Sequence, residues 1–312
     1  MGLITDAADS IMDSLKEGLA GAVSNALSTC VDLLTMGLNP ASGKGSGEVT
    51  GLMGQFLFTH PANFTGTSGG SKIWDTIQTI SDNAVVPIAG GIFAILVTYD
   101  LIYMVMSGNN FNEYDGSVVL KWILKVVAGC ILISNITDIT AGLLSFGNSV
   151  AVTANNTLFG SGGFATSITS PDSQKFIDGL SNQSFGYILV CLIASGFLLL
   201  VVMATLALII VTMASRMIEI FMYVGISPIP IVTFMNTDSK PTGQNWLRNI
   251  LALGFQGLFI ALAIGIFLVL FNNACKEISK FISLVILIGY ALALMFTVLR
   301  SGQISKSVFG AH

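Results

Sequence analysis

The chain reads as an all-α, multi-pass membrane protein, and two observations carry that reading. Between Phe185 and Ala214 thirty residues pass without one Asp, Glu, Lys, Arg or His. A helix rises about 1.5 Å per residue and a bilayer's hydrocarbon core is about 30 Å thick, so about 20 apolar residues suffice to cross it. The run exceeds that length, so it must tilt or project beyond the hydrocarbon. The whole chain agrees: 53% of its 312 residues are hydrophobic and only 10% are charged, with a mean hydropathy of +0.80. Such a composition accommodates five or six spans with modest loops.

Residues 1–83 read as an extracytoplasmic segment made of an amphipathic helix and a flexible connector. Over residues 5–38, Ile11, Leu15, Leu19, Val23, Leu27, Val31 and Leu34 recur every three or four residues, while Asp9, Asp13, Lys16, Glu17 and Asp32 take other faces. Glycines near Gly18 to Gly21 suggest a break. An interfacial anchor usually meets anionic lipid with a basic face. This face is mostly acidic, so packing on a partner or a neighbouring copy is expected. Asp6, Asp9 and Asp13 also stand where a signal peptide would be basic, so none is expected. Residues 39–70, rich in Gly, Ser, Thr and Pro, form the connector. Within it Ser42-Gly43-Lys44-Gly45 fails as a phosphate loop: the leading glycine position is Leu38, and Gly45 replaces the magnesium-binding hydroxyl.

A short amphipathic lead-in from Ser71, with Trp74 suited to the headgroup level, precedes the first span at about 84–106. Pro87 is tolerated in its first turn. The second span starts near Val118, carries Lys121 and Lys125, and fades by Phe146, so residues 84–146 hold two spans. A polar extracytoplasmic loop is expected over 147–184. Residues 185–299 form the membrane core, with a third span at 185–214 and ordinary spans at 251–271 and 281–299. Between them, residues 220–234 are apolar but contain Pro228 and Pro230, two residues apart, which remove backbone donors. This stretch reads as a broken or re-entrant element, with a kinked span as the alternative. Residues 300–312 form a cytoplasmic tail.

The basic residues set the orientation. Lys121, Lys125, Arg216, Lys240, Arg248, Arg300 and Lys306 fall on one side, against Lys72, Lys175, Lys276 and Lys280 on the other. The N-terminus is therefore expected outside and the C-terminus in the cytoplasm.

Chemistry is hard to find. The net charge of −4 argues against a surface that mainly grips nucleic acid. The four cysteines are scattered, with no CxxC or Cys/His cluster, so neither a disulfide framework nor a zinc site is expected, and no cofactor is implied. The only histidines, His60 and His312, lie outside the apolar runs, so HExxH and a Ser-His pair at membrane depth are both missing. Asp100 and Asp138 would lie near opposite ends of their spans. The chain is expected not to be an enzyme.

Ionisable groups at membrane depth are costly and so become site candidates. Asp100 interrupts the first span, either as a functional carboxylate or as one that simply reaches water. Arg216 and Glu219, three apart, can pair, as a topology marker or as a brace for the Pro228–Pro230 break. Lys121 and Lys125 form a basic stripe beside Trp122. Thr98, Ser134, Asn135, Ser195, Thr205, Thr212, Asn249, Gln256 and Tyr290 can line a wet path or join helices through hydrogen bonds.

Several segments resemble one family. Arg216-Met217-Ile218-Glu219-Ile220, Tyr223, Ser227-Pro228-Ile229-Pro230, Gly243-Gln244-Asn245-Trp246-Leu247-Arg248, Ala252-Leu253-Gly254-Phe255-Gln256-Gly257 and the tail Gly302 to His312 are similar to the TrbL-like branch of the polytopic inner-membrane subunits of type IV secretion systems, as found on conjugative elements of Gram-positive bacteria. Pro87-Ile88-Ala89-Gly90 and Lys121-Trp122-Ile123 also resemble that group. The likeness is specific over about 84–135 and 214–312.

The resemblance implies a scaffold-like channel subunit, with its N-terminus outside, at the centre of an inner-membrane complex. Its partners there are an energising ATPase, a coupling ATPase and small membrane subunits. The cargo is single-stranded DNA bound to a relaxase. A five-span monomer has little room for a wide pore, so a homo-oligomer within the complex is expected. Arg216, Glu219, Pro228, Pro230, Gln244, Arg248 and Gln256 are the structural-signature or gate candidates. A small-solute transporter and a membrane anchor that organises partners remain the alternatives. The transporter calls for internal repeats and paired interrupted helices, of which the sequence shows one interruption.

Overall fold

A computed structural model describes residues 2–38, 56–57, 59–64, 73–107, 116–159, 177, 180, 183–236, 238–276 and 281–311. Among them the regular structure is helical throughout. The helices are α1 (Gly2–Leu38), α2 (Ile73–Ile80), α3 (Val86–Ser107), α4 (Gly116–Ser134), α5 (Ile136–Phe159), α6 (Phe185–Gly225), α7 (Pro228–Thr233), α8 (Lys240–Lys276) and α9 (Phe281–Phe309). The glycine-rich connector, the 42–45 sequence and most of the 160–182 loop lie outside the described residues.

Among the described residues four helices are long and apolar enough to cross a membrane: Ile73–Met106, Phe185–Gly225, Lys240–Cys275 and Phe281–Phe309. The count becomes five if the pair Val119–Ser134 and Ile136–Ala154, bent by 67°, is one broken span. The all-α, multi-pass expectation therefore holds.

Several boundaries differ from the expectation, among them α8, which begins at Lys240, and α9, which runs on to Phe309 through most of the expected tail. Helix α1 runs unbroken through Gly18 and Gly21, because neither glycine meets a turn or a close neighbour that would interrupt it. The lead-in and the first span join through a π turn at Ser81–Val85, where the Val86 amide bonds the Ser81 carbonyl just before the donor-less Pro87. The loop expected from residue 147 is helical as far as Phe159. Its Ser, Thr and Asn residues weaken the apolar signal without breaking a helix. Finally, α6 continues past Ala214 to Gly225. Its 41 residues make a rod of about 60 Å, so part of it extends beyond a hydrocarbon core of about 30 Å.

The chain forms two compact units: Met1–Leu57, Val152–Met213 and Phe259–Ser301 in the first, Phe58–Ala151, Ala214–Leu258 and Gly302–His312 in the second. In the first unit, α1 buries Ala20, Val23, Leu27, Cys30, Val31 and Leu34. Ile188, Leu198, Val202 and Ile209 of α6 fill the same core with Ile260, Leu268 and Phe271 of α8 and Leu287 and Val298 of α9. The other faces of α6, α8 and α9 expose Ile193, Leu200, Val211, Ile266, Val269 and Phe296, as lipid-facing surfaces require.

In the second unit, α3 and α4 approach where the Phe93 ring lies over Gly129; an added Cβ there would stand 2.5 Å from the ring. The short α7 packs against α3, α4 and the π turn. His60 bonds the Ala141 carbonyl at 3.1 Å, and Phe64 meets Phe221 with ring centroids 6.1 Å apart. Ile77 lies at van der Waals distance from the position a Cβ on Gly225 would take. Phe64 and Ile77 thus pack on the end of α6, although the basic-residue reading assigned the two to opposite sides.

Candidate functional site

The second unit converges on six residues of α8, Ala252 to Gly257. Arg216 of α6 is 4% exposed. Its Nε donates to the Leu253 carbonyl at 2.8 Å and its Nη2 to the Gly254 carbonyl at 3.2 Å. A helical carbonyl has a second lone pair beyond the one used by its own helix, so α8 accepts these bonds without unwinding. Gly257 makes the approach possible: a Cβ there would lie 2.9 Å from Arg216 Nη1.

The pairing expected between Arg216 and Glu219 does not form. Among the described residues the ion pairs are Lys16 with Asp13 and Lys125 with Asp100. The guanidinium instead turns across to α8, where two carbonyl dipoles and a missing side chain receive it. Burying a charge without a counter-ion is costly unless hydrogen bonds compensate; here carbonyls take that part.

The neighbouring turn carries a second close approach. A Cβ on Gly147 of α5 would come 2.7 Å from the carbonyl carbon of Gly254, so the two helices cross backbone to backbone. Phe255 is flanked by Phe146 and Phe309, with centroids 5.7 Å and 5.1 Å away. Ser305 of α9 donates to the Ala252 carbonyl at 2.5 Å. Gln256, 7% exposed, has its Nε2 3.3 Å from where a Gly302 Cβ would stand. Segment 252–257 is therefore gripped by α5, α6 and α9 at once.

A second polar cluster sits beside the broken element. Asp100 of α3 pairs with Lys125 of α4, and its other oxygen accepts from Asn236 Nδ2 at 3.1 Å. Asn236 Oδ1 in turn accepts from the amides of Asp238 and Ser239, at 2.8 Å and 3.3 Å. One carboxylate thus ties α3 and α4 to the turn that leads into α8. Asp100 does more than reach water, and the basic stripe divides: Lys121 is exposed while Lys125 turns inward to the carboxylate.

The break itself follows from its prolines. After Gly225 the chain turns at Ile226–Ser227, and α7 resumes at Pro228. Pro228 and Pro230 have no amide to offer Val224 and Ile226. Those carbonyls accept instead from Ser227 and Ile229, at 3.1 Å and 3.2 Å. Trp246 Nε1 reaches the Tyr223 carbonyl at 3.5 Å, and a Cβ on Gly243 would press on Phe234 and the Pro230 carbonyl. Pro228, Pro230 and α8 therefore belong together. Gln244 is exposed, and Arg248, also exposed, donates from Nη1 to the Gly310 carbonyl at 3.4 Å.

Most of the polar side chains on other helices bond their own helix rather than a neighbouring one. Thr98, Ser134, Asn135, Ser195, Thr205, Thr212 and Asn249 each bond a carbonyl three or four residues back in their own helix. Thr205 alone among these adds a contact across, 3.4 Å from the Ala291 carbonyl. Tyr290 lines a shallow groove of about 290 Å³ with Leu270, Asn273, Ala274, Ser283 and Ile286. Among the described residues no three His, Cys, Asp or Glu side chains gather as metal ligands.

Sequence reading missed Gly147 and Asn236, and quoted Gly257 only as part of the family-like segment 252–257. Glycines are frequent here, 33 in all, and only contact across elements marks Gly147 and Gly257, as it marks Gly129 and Gly243. Asn236 sits in a turn, where a polar residue attracts no notice.

No curated protein and no solved structure matches the chain. A family model described as TrbL/VirB6 plasmid conjugal transfer like protein matches residues 53–228, from the connector through α3, α4, α5 and α6 to the first proline of the break. The likeness noted from Gln244 to the tail lies beyond that match. More than half of the chain being covered, it belongs to the TrbL/VirB6 plasmid conjugal transfer like family.

Proposed function

We propose that this chain is a non-enzymatic integral membrane component of a conjugation machine of the type IV secretion kind, part of the conduit or scaffold that passes relaxase-bound single-stranded DNA across the cell membrane. The family match over residues 53–228, on a chain of apolar helices, carries this reading. A polyanion cannot enter hydrocarbon, so its route must be enclosed by protein. Its partners are an energising ATPase and a coupling ATPase that supply power, small membrane subunits, and further copies of itself. The break at Gly225–Pro228 is where a gate would flex, because freed backbone groups must face protein or water.

Deleting the gene tests the reading: conjugal transfer is lost while relaxase nicking persists, and an unchanged transfer frequency overturns it. Crosslinking DNA in transit to α6, α8 and α9 separates conduit from anchor; no contact in an actively transferring cell favours the anchor. A small-solute transporter is the second reading. The structure adds the 67° bend between α4 and α5 to the one interruption visible in sequence, and discontinuous helices suit ion or solute sites.

The basic residues favour an N-terminus outside and a C-terminus in the cytoplasm, with Lys121, Lys125, Arg216, Lys240, Arg248, Arg300 and Lys306 on one side against Lys72, Lys175, Lys276 and Lys280. The contacts of Phe64 with Phe221 and of Ile77 beside Gly225 run against it, so labelling decides. Cysteines introduced at Ser167 and Ser239 then label from opposite faces of the membrane. Native Cys30 stays silent in that assay, since burial pushes its thiol up to about 11; exposed Cys130 is first changed to serine.

A further inference from the structure

Two hydroxyls of the second unit are buried without a partner. Ser81 in the π turn and Ser227 at the break are both 0% exposed, and neither Oγ has a hydrogen bond. Elsewhere a helical Ser or Thr, such as Ser195 or Thr205, bonds a carbonyl three or four residues back. A buried hydroxyl left unpaired is destabilising, and folded proteins satisfy such groups with protein or with ordered water. The third unpartnered buried side-chain atom among the described residues is Trp122 Nε1. It sits one turn from Lys125, at the Asp100 end of α3 and apart from the two serines.

The register brings the serines to one level. Residues 225–236 run alongside 77–100 in the same direction. Ile77 lies 3.4 Å from where a Gly225 Cβ would stand, Phe93 and Met235 both meet the Cβ position of Gly129, and Asn236 bonds Asp100. Ser81 is one turn beyond Ile77, and Ser227 is two residues beyond Gly225. The end of α6 adds an acceptor. In an unbroken helix the Ile229 amide would go to the Gly225 carbonyl, but here it goes to Ile226 at 3.2 Å, and Pro228 brings no amide. Helical carbonyls point toward the C-terminal end, so that of Gly225 is directed into the turn that holds Ser227.

We propose that Ser81, Ser227 and the Gly225 carbonyl together bind one buried water molecule, which joins the π turn to the break. Two hydroxyls that donate or accept and one carbonyl make three partners, the usual number for such a water. A metal cation fits worse, because the three oxygens are neutral and the adjacent acid, Asp82, is exposed. A bridging water also keeps both hydroxyls satisfied over a range of separations. The π turn and the break can therefore shift against each other without stranding either serine, whatever the membrane complex carries.

The test uses the full-length chain in detergent, with Ser81→Ala, Ser227→Ala and the double variant. Each single variant is expected to lower the melting temperature by about 2–4 °C, and the double by less than the sum, because both losses act on one bridge. Unchanged or raised melting temperatures overturn the proposal, since a hydroxyl that is truly unpaired is better removed. A direct bond between the two serines would also couple them, so radiolytic footprinting accompanies the melts. Radicals generated from a bound water oxidise residues beside it where bulk solvent is excluded. Buried Pro228 is expected to be oxidised in the native chain and about fivefold less in the double variant. Equal oxidation, or none in either, overturns the water. So does a melting temperature that rises when sodium chloride replaces choline chloride at equal ionic strength, the mark of a cation in its place. Should Ser227→Ala fail to fold, Ser81→Val takes over, since it removes one hydroxyl and fills the water's space, and Pro228 must again lose its oxidation.

Discussion

In the first unit the buried positions of α6, α8 and α9 are mostly Leu, Ile, Val and Phe, with Cys191, Ser195, Thr205 and Met213 among them, and some hydrogen bonds cross between these helices. Tyr187 receives the Phe281 amide at 2.7 Å, and Thr205 approaches Ala291. In the second unit the same α6 and α8 carry Arg216, Gly254, Gly257 and Gln256, and contact between helices runs through carbonyls, glycine backbones and one carboxylate. Apolar packing in lipid is forgiving, since tails are as apolar as leucine and give helices little reason to choose one register. Directional bonds and backbone contacts do choose. The difference suggests that the first unit supplies the bulk of the membrane body, while the second fixes a unique arrangement around the break at Gly225–Pro228.

Arg216 gives the most severe way to break that comparison. Arg216→Glu places a carboxylate against two carbonyl oxygens in a site that is 4% exposed. The expected cost exceeds about 4 kcal/mol, enough to remove folded protein from a detergent extract, as seen by fluorescence-detected size exclusion. Arg216→Met keeps the volume and removes the charge, so its cost stays within about 1.5 kcal/mol. In the first unit, Thr205→Val loses one bond to its own helix and a long contact to Ala291, about 1 kcal/mol. Arg216→Glu melting like Thr205→Val would refute the distinction between the units.

Glycines sharpen the same contrast at a smaller scale. Gly147→Ala drives a methyl to 2.7 Å from backbone of α8, where nothing flexible can give way, and costs about 1–3 kcal/mol. Gly257→Ala meets only the end of the Arg216 side chain. Combined with Arg216→Met it loses that clash, so the pair shows coupling of about 1 kcal/mol in a thermal-melt cycle. Gly289 of the first unit has nothing within 4 Å of its added Cβ. Gly289→Ala therefore raises stability by up to about 1 kcal/mol through helix propensity. Additive behaviour of Gly257→Ala and Arg216→Met would remove the notch from the account.

How far the sequence reveals all this follows the same division. The apolar runs of the first unit, the α1 stripe and the proline break can be read from periodicity and composition, because each is a local property of the chain. Helix ends were less legible: α5 runs through Ser149, Thr153 and Asn156, and α6 through Arg216 and Glu219, because a helix has no need to stop where the apolar signal fades. The contacts of the second unit were hidden for a different reason. Arg216 pairs in sequence with Glu219 yet bonds residues 37 and 38 positions on, and Gly147 meets Gly254 across two helices. Asp100 was singled out from its depth in a span, but its partner Asn236 lies 136 positions away.

The Asp100 cluster carries the mildest prediction and isolates charge from hydrogen bonding. Lys125 and Asp100 keep side-chain exposures of 36% and 21%, so solvent screens their attraction and the ion pair contributes at most about 1 kcal/mol. Asn236, by contrast, is 3% exposed, and its Nδ2 depends on the Asp100 carboxylate for an acceptor. Asp100→Asn removes the charge but leaves an oxygen for Asn236, so it costs less than about 1 kcal/mol and its effect shrinks in high salt. Asp100→Ala removes both and strands a buried amide, adding about 1–3 kcal/mol. If the two variants melt together, Asn236 draws no stability from Asp100. The turn into α8 would then be held by the break at Pro228 and Pro230 and by Trp246, with α3 and α4 merely alongside.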